Sequence, residues 1–324
     1  MKNIATIALL ILFSQNISAQ KSPIGKIVLT NGWEMQSGIV VSAKGNEISQ
    51  ATFRGSWYKV NVPTTIIAGL LKNKQYSFDP FYGNNLDKIA GPEFDSTWWF
   101  RKEFQLPVSE NGKNVILMLH GINYRANIWL NGVLVSNDKT VMGPFRMFEF
   151  DITNQIKYKG TNVLAMQIKR PVDPNKKDGD LAIDYADWIH YPSDYNGGIV
   201  NDVEINTCEK VAIRHPLVTT KFDLPSLATA HLRVYADVIN YSDKEQDVSV
   251  RGKINEGISF QQKLHMMPGE TKNIIFDETG FPQLNIQNPR IWWPWQYGKP
   301  LLNKIELKVT REGVNSSIIS ERFG

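Results

Sequence analysis

Residues Arg125 to Val135 read RANIWLNGVLV, and this stretch contains the signal that decides the fold. The pair Asn131-Gly132 lies between two apolar runs, and both residue types tolerate the positive φ angles of a type I′ turn. A tight turn of this kind joins two antiparallel strands. The stretch therefore predicts a β-hairpin.

Alternation of apolar and polar residues with a period of two continues on both sides of this hairpin, whereas helical periodicity is rare. In VILMLH, for example, Val115, Leu117 and Leu119 would share one face of a strand. Only TTIIAGLL, at 64–71, reads as a short helix. The block from about residue 24 to residue 206 is long enough for a β-sandwich of the jelly-roll type.

The strand pattern starts again after residue 207. In HLRVYADVIN, at 231–240, the apolar residues Leu232, Val234, Ala236 and Val238 share one face. Strands of similar length follow up to the end of the sequence, which suggests an immunoglobulin-like sandwich. We therefore predict an all-β chain with a jelly-roll domain at 20–207 and an immunoglobulin-like domain at 208–324 that abut without a long linker.

The first residues have the pattern of a secretory signal peptide. One lysine precedes an apolar run from Ile4 to Phe13, and a polar stretch ends at Ala19, after which we expect cleavage. No later stretch approaches the roughly 20 apolar residues of a membrane span. We expect an exported protein, periplasmic or extracellular, without a membrane anchor. Cys208 is the only cysteine, which excludes an intrachain disulfide, and we expect a half-buried structural thiol there.

Several classes of function find no support in the sequence. The net charge is +4 and the basic residues are scattered, which argues against a nucleic-acid partner. The five histidines show no spacing typical of metal ligands, so we expect no metal site. The segment DPNKKDGD, at 173–180, is read as a solvated turn rather than a calcium loop. Nucleotide-binding and serine-hydrolase motifs are missing, and we expect no cofactor.

The loop YADWIHYPSDYNGGIVNDV, at 185–203, combines aromatic and acidic residues that a simple connection would not need. Carboxylates such as Asp187 and Asp194 bind sugar hydroxyls, and rings such as Trp188 and Tyr195 cover the C–H face of a sugar. The alternative is that Trp188 and Tyr195 pack the loop onto its own sandwich. Hydrolysis by Asp187 and Asp194 is less favoured, because one loop rarely places two carboxylates on opposite sides of a glycosidic bond.

Seven motifs occur in the order found in one enzyme family. They are VPTT at 62–65, STWWFRKEF at 96–104, GINYRANIWLNG at 121–132, GPFRMFEFDIT at 143–153, GTNVLAMQI at 160–168, GGIVNDVEI at 197–205 and NPRIWWPWQYGKPLL at 288–302. Together they resemble the N-terminal, non-catalytic part of glycoside hydrolase family 2. The stretch DWIHYPSD is most similar to the exo-β-glucosaminidase branch, followed by the β-mannosidase branch. The resemblance implies a galactose-binding-like jelly roll followed by an immunoglobulin-like domain.

The resemblance also implies a site. It makes Asp187 a contact to the hydroxyls or the amino group of a terminal β-linked sugar, and Trp188 a wall of the same subsite. The sequence departs from the branch pattern at Ile189 and His190, and at Val200, where tryptophan is common in the family. These departures leave the choice of sugar open.

The resemblance further implies a catalytic domain that this chain lacks. SERFG, at 320–324, resembles the segment that leads into the family's (β/α)₈ barrel, which carries both catalytic glutamates, and a barrel needs roughly 250 further residues. We therefore expect no catalytic residue here and no hydrolysis by the chain alone. WWPW, at 292–295, is read as a cluster that packs against that barrel, and Arg101 as a structural residue. The alternative function is a freestanding secreted carbohydrate-binding or adhesion module.

Overall fold

The computed structural model describes residues 25–172, 179–180 and 191–324. The expected signal peptide, the two expected sugar contacts Asp187 and Trp188, and most of the DPNKKDGD segment lie outside the described residues. Within the described ranges, no helix has the length and apolar character needed to cross a membrane.

The first part of the chain consists of short strands with two short helices. The strands are β1 (Lys26–Val28), β2 (Trp33–Ser37), β3 (Tyr58–Val60), β4 (Thr64–Thr65), β5 (Trp98–Phe104), β6 (Asn114–Leu119), β7 (Ile122–Asn123), β8 (Arg125–Leu130), β9 (Val133–Ser136), β10 (Phe148–Asp151), β11 (Asn162–Lys169), β12 (Gly198–Ile199) and β13 (Val203–Cys208). The helices are α1 (Gly45–Ile48) and α2 (Ile66–Lys72), with 3-10 turns at Asn85–Lys88, Pro92–Phe94, Val108–Glu110 and Thr153–Gln155.

These strands build a sandwich. One sheet has the strand order β1-β13-β6-β10 and the other the order β3-β2-β5-β11-β8-β9, while β4-β12-β7 forms a small third sheet. The main apolar core lies between the two large sheets and includes Leu117 and Ile205 from the first and Phe100 and Met166 from the second. The all-β jelly-roll prediction is confirmed.

The hairpin around Asn131-Gly132 forms as predicted. Leu130 pairs with Val133 across the turn, and Asn131 and Gly132 both have positive φ angles, 52° and 92°. The side chain of Asn131 adds two long-range hydrogen bonds, since its Oδ1 accepts from the Val163 backbone N–H at 2.9 Å and its Nδ2 donates to the Gln155 carbonyl at 2.8 Å. The turn therefore also ties the hairpin to its neighbours.

The segment between β2 and β3 covers the outer face of the six-stranded sheet. Arg101 on β5 is only 3% exposed and fixes this cover. Its guanidinium donates to the carbonyls of Ile48 and Gln50, at 3.0 and 3.1 Å, and pairs with Glu34 and Glu103 at 2.7 and 2.6 Å. These contacts agree with a structural role for Arg101.

The second part of the chain forms a separate sandwich. Its strands are β14 (Val211–Phe222), β15 (Thr229–Asn240), β16 (Gln246–Ile254), β17 (Ile258–Met266), β18 (Thr271–Phe276), β19 (Asn285–Gln287), β20 (Asn303–Arg311) and β21 (Val314–Phe323), with a 3-10 turn at Pro282–Leu284. One sheet has the order β14-β15-β18, with β19 also paired to β15, and the other the order β17-β16-β20-β21. Leu232, Val234, Ala236 and Val238 are buried on one face of β15, as predicted. The immunoglobulin-like fold is confirmed.

The two sandwiches touch directly. The Asn114 side chain donates to the Glu209 carbonyl at 2.9 Å, and Arg214 Nε of the second domain lies 3.7 Å from Glu149 Oε2 of the first. Cys208, at the end of β13, is 3% exposed and its Sγ lies 3.8 Å from Arg214 Nη2. The half-buried thiol expected from the sequence is therefore wrong, because Arg214, from the second domain, covers one side of it.

Candidate functional site

The aromatic loop leaves the jelly roll after β11 and returns at β12, and the described parts of it form its root. The residues of this loop root are 170–172, 179–180 and 191–197. The root lies against helix α2 and the segment that precedes β5. The hydrogen bonds and ion pairs that hold this root determine how rigidly the two ends of the loop are positioned.

Asp194 anchors the returning side of the root. Its side chain is fully buried. Its Oδ2 accepts a hydrogen bond from the Ile67 N–H in the first turn of α2 at 2.8 Å, and its Oδ1 accepts from the Asn196 N–H at 2.9 Å. Burial raises the pKa of Asp194, and these backbone hydrogen bonds offset the shift only in part. A carboxylate without exposed surface is not available to a sugar, so Asp194 positions the loop instead of contacting substrate.

Asp180 anchors the departing side of the root. It is 5% exposed and pairs with Arg125 at the start of β8. It also forms two hydrogen bonds with Val172, whose N–H donates to Asp180 Oδ2 at 3.0 Å and whose carbonyl accepts from the Asp180 N–H at 3.2 Å. The prediction of a solvated turn at 173–180 is therefore wrong for Asp180, because this side chain is buried and pairs with an arginine that is distant in sequence.

Tyr195 packs onto the jelly roll. The Arg170 guanidinium lies 4.7 Å from the centroid of the Tyr195 ring. The centroid of the Tyr191 ring lies 5.7 Å from that of the Tyr195 ring. Arg170 is held in turn by an ion pair with Asp95 and a hydrogen bond to the Phe94 carbonyl. For Tyr195, these contacts favour the alternative that its ring packs the loop onto its own sandwich.

The Gly-Gly pair explains how the chain closes so tightly. Gly198 has a φ of +152°, and a Cβ placed there would lie 2.4 Å from the Thr64 carbonyl oxygen. A Cβ at Gly197 would lie 2.8 Å from Arg170 Cβ. Buried Asn123 adds support, because its Nδ2 donates to the carbonyls of Tyr195 and Asn196 at 3.0 and 2.9 Å. These glycines are required by close backbone approach and leave the loop root compact.

The tryptophans of WWPW form an exposed surface on the second domain. Trp292 and Trp293 are 43% and 39% exposed, and Trp295 and Tyr297 are 78% and 80% exposed. We call these four residues the tryptophan patch. Large apolar surfaces of this kind mark interaction sites.

Metal-binding side chains do not converge in the part of the chain that the structure describes. Among those residues, no group of three or more histidine, cysteine, aspartate or glutamate side chains could hold an ion.

Two family models match the chain. The model described as glycosyl hydrolase 2 galactose-binding domain-like matches residues 33–208, and the model described as glycosyl hydrolases family 2 matches residues 211–324. The division between the two models falls at the junction of the two sandwiches.

Individual proteins agree with the family models. The exo-β-D-glucosaminidases of Streptomyces avermitilis and Amycolatopsis orientalis are each 32% identical, over 94% and 90% of this chain and 33% and 27% of their own lengths. The crystal structure of the Amycolatopsis orientalis exo-chitosanase superposes with a TM-score of 0.82 at 30% identity, covering 92% of this chain and 33% of the enzyme. The chain thus spans about a third of the length of these relatives. It belongs to glycoside hydrolase family 2.

Proposed function

We propose that this chain is the non-catalytic, sugar-binding and scaffolding portion of an exported, exo-acting β-glycosidase of the glucosaminidase or mannosidase type. The observation that carries the proposal is the anchored loop root. Asp187 stands midway in sequence between Asp180 and Asp194, two buried carboxylates that hold the loop at both ends. The apolar run at 4–13 supports export.

A fixed root favours binding by the residues between its ends. Ordering a loop on binding costs conformational entropy, and the cost falls when both ends of the loop are already held. Asp187 would then accept hydrogen bonds from sugar hydroxyls or an amino group, and Trp188 would cover the apolar face of the ring. Both residues remain proposals.

Catalysis would come from another domain. Glycoside hydrolysis uses two carboxyl groups that flank the scissile bond. In the described part of the loop the carboxylates Asp180 and Asp194 are both buried and engaged, so they do not offer such a pair. We propose that the catalytic pair belongs to a (β/α)₈ barrel that docks against the tryptophan patch. This contact would bury the exposed rings of the patch.

A freestanding binding module is the second candidate. Each sandwich has an apolar core of its own, which favours a chain that folds without a further domain. The two candidates differ in what the isolated chain does. A module should be monodisperse and bind glycans tightly, whereas an enzyme portion should self-associate through the tryptophan patch and bind weakly.

The test is a calorimetric titration of the chain with β-linked glucosamine and mannose oligosaccharides. We expect weak binding of one sugar class that is weakened in Asp187→Ala and in Trp188→Ala, and no turnover of a chromogenic glycoside. The same variants in a form that carries a barrel should lose turnover on the terminal sugar. Unchanged binding and kinetics in both variants would overturn the assignment of the loop.

A further inference from the structure

A cavity of about 380 Å³ lies beside the loop root. Its size falls in the range of roughly 300–1,000 Å³ that is usual for small-molecule sites. Its wall is formed by the end of β2, the start of β3, α2 and the residues after it, the 3-10 turn Pro92–Phe94 and the start of β5. The polar and aromatic lining residues are Gln36, Ser37, Tyr58, Gln75, Tyr76, Glu93 and Trp98.

Glu93 gives this cavity an unpaired negative charge. Among the described residues its carboxylate forms no ion pair and accepts no hydrogen bond, and no lysine or arginine lines the cavity. Acidic side chains elsewhere on the jelly roll, such as Glu34 and Glu204, are paired with basic residues. A partly buried carboxylate without a partner is unusual, because its desolvation is not compensated. It therefore suits a cationic ligand.

Tyr76 places a phenol in the same cavity. Its hydroxyl has no hydrogen-bond partner among the described residues. Burial raises the pKa of Tyr76, and the negative charges of Glu93 and Asp194 raise it further. Tyr58 and Gln75 are arranged beside it, since the Tyr58 hydroxyl donates to Gln75 Oε1 at 2.9 Å. The cavity thus offers one carboxylate, one free hydroxyl and two tyrosine rings.

The segment that carries Glu93 is attached to the loop root. Ser193 Oγ donates to the Ile89 carbonyl, and Arg170 donates to the Phe94 carbonyl and pairs with Asp95. The cavity and the loop root therefore share a wall. A ligand that spans both would meet two binding groups on one chain.

We propose that this cavity is a second saccharide site, which binds a sugar residue with a free amino group. The ammonium pairs with Glu93, the hydroxyls of the sugar bond to Tyr76, and the ring lies against Tyr58. Only the class of ligand rests on the proposed function, because the carboxylate and the phenol that bind it belong to Glu93 and Tyr76. Acetylation removes the positive charge, so an N-acetylated sugar should bind less well.

Gly91 allows a test that keeps every charge in place. A Cβ at Gly91 would lie 2.1 Å from Glu93 Oε2, at the flexible end of that side chain. The φ of Gly91 is 173°, which is extended backbone that any residue adopts. Gly91→Ala should therefore displace the carboxylate without straining the backbone.

The probe is the β-1,4-linked disaccharide of glucosamine, titrated at mildly acidic pH and followed by amide chemical shifts and calorimetry. We expect shifts at residues 75, 76 and 93 that saturate, and a weaker response to the N,N′-diacetyl disaccharide. Glu93→Gln should weaken binding about tenfold, which corresponds to ~1.4 kcal/mol, with a similar loss in Gly91→Ala and a smaller one in Tyr76→Phe. Asp243→Asn, an equal change of charge at an exposed residue of the second domain, should bind as the unaltered chain. Thermal melts confirm that each variant is folded.

Two sets of variants separate this proposal from the function proposed above. The double variant Asp187→Ala, Trp188→Ala should retain the shifts at Tyr76 if the cavity binds by itself. Unaltered affinity in Glu93→Gln, or equal affinity for the acetylated probe, overturns the cavity site and leaves the loop assignment intact. Binding that depends on Glu93 but not on the loop residues supports the cavity and counts against the loop. No response of the chain to either disaccharide overturns the cavity site.

Discussion

Glu149 of the jelly roll and His215 of the immunoglobulin-like domain face each other across the domain junction, with 3.2 Å between Oε1 and Nε2. The other ring nitrogen of His215, Nδ1, lies 2.8 Å from Asp237 Oδ2. Arg214 stands on the same side, with its Nε 3.7 Å from Glu149 Oε2. One imidazole therefore connects the two domains and lies between two carboxylates.

This arrangement predicts that the junction is stronger in acid. Partial burial lowers the pKa of His215, but the hydrogen bond to Asp237 and the charge of Glu149 outweigh it, so the pKa lies above its usual value. A histidine with a raised folded-state pKa stabilises fully below its unfolded pKa of ~6.5, and the contribution disappears as the pH rises through the folded value. Urea unfolding of the unaltered chain and of His215→Gln should differ most at about pH 5 and least at about pH 8.

The size of this effect is small, because half of the His215 side chain is exposed. Solvent screening limits it to about 1 kcal/mol or less. Glu149→Gln should remove a large part of the same pH dependence. A difference between the unaltered chain and His215→Gln that is constant over this pH range would contradict the prediction.

Asp194 should be important for stability as well as for loop position. In Asp194→Ala the backbone N–H groups of Ile67 and Asn196 lose their partner, at roughly 1–3 kcal/mol for each unsatisfied group. Asp194→Asn keeps one acceptor oxygen and should cost about half as much. Urea unfolding measures both, with Asp243→Asn as a surface control expected within about 0.5 kcal/mol. Equal stability of the Ala variant and the unaltered chain would show that the anchor is dispensable.

Gly198 should not tolerate a side chain. Gly198→Ala combines a φ of +152° with a contact of 2.4 Å to the Thr64 carbonyl oxygen, and we expect a loss of about 2 kcal/mol or more. Gly257→Ala is the matched control, because a Cβ at Gly257 meets no atom within 4 Å and its φ lies outside the left-handed region. Thermal unfolding should separate the two variants clearly, and similar melting temperatures would argue against the tight closure of the root.

The tryptophan patch should drive self-association of the isolated chain. Trp295 is 78% exposed, so Trp295→Ser removes apolar surface without disturbing a core. Sedimentation velocity at several concentrations should show less self-association in this variant, with unchanged thermal stability. Phe81→Ser, an 89% exposed ring on the jelly roll, is the control for a general loss of surface apolarity. Equal effects of the two substitutions on self-association would contradict a specific role of the tryptophan patch.

The parts of the fold that were predictable are those that depend on near neighbours in the chain. The Asn131-Gly132 turn and the alternation in β15 are local patterns that water and an apolar core impose directly. The order of the family motifs then identified both sandwiches. Nothing in the described residues tests the roles given to Asp187 and Trp188.

The parts that were missed depend on distant partners. Asp194 binds the N–H of a residue 127 positions away, and Asp180 pairs with an arginine 55 positions away. Sequence patterns showed that both were acidic and near aromatic rings but could not show that they point inward. The cavity at Glu93 was not predicted either, because its wall is formed by four segments that are distant from one another in sequence.

The burial of Cys208 gives the molecule a built-in reporter. Burial raises the pKa of this thiol, and a protonated thiol reacts slowly with alkylating reagents. Because it is the chain's only cysteine and lies against Arg214 at the junction, its labelling rate measures how often the two sandwiches separate there. The rate at which Cys208 is alkylated in the isolated chain therefore reports how often the interdomain contact opens, and no added probe is needed.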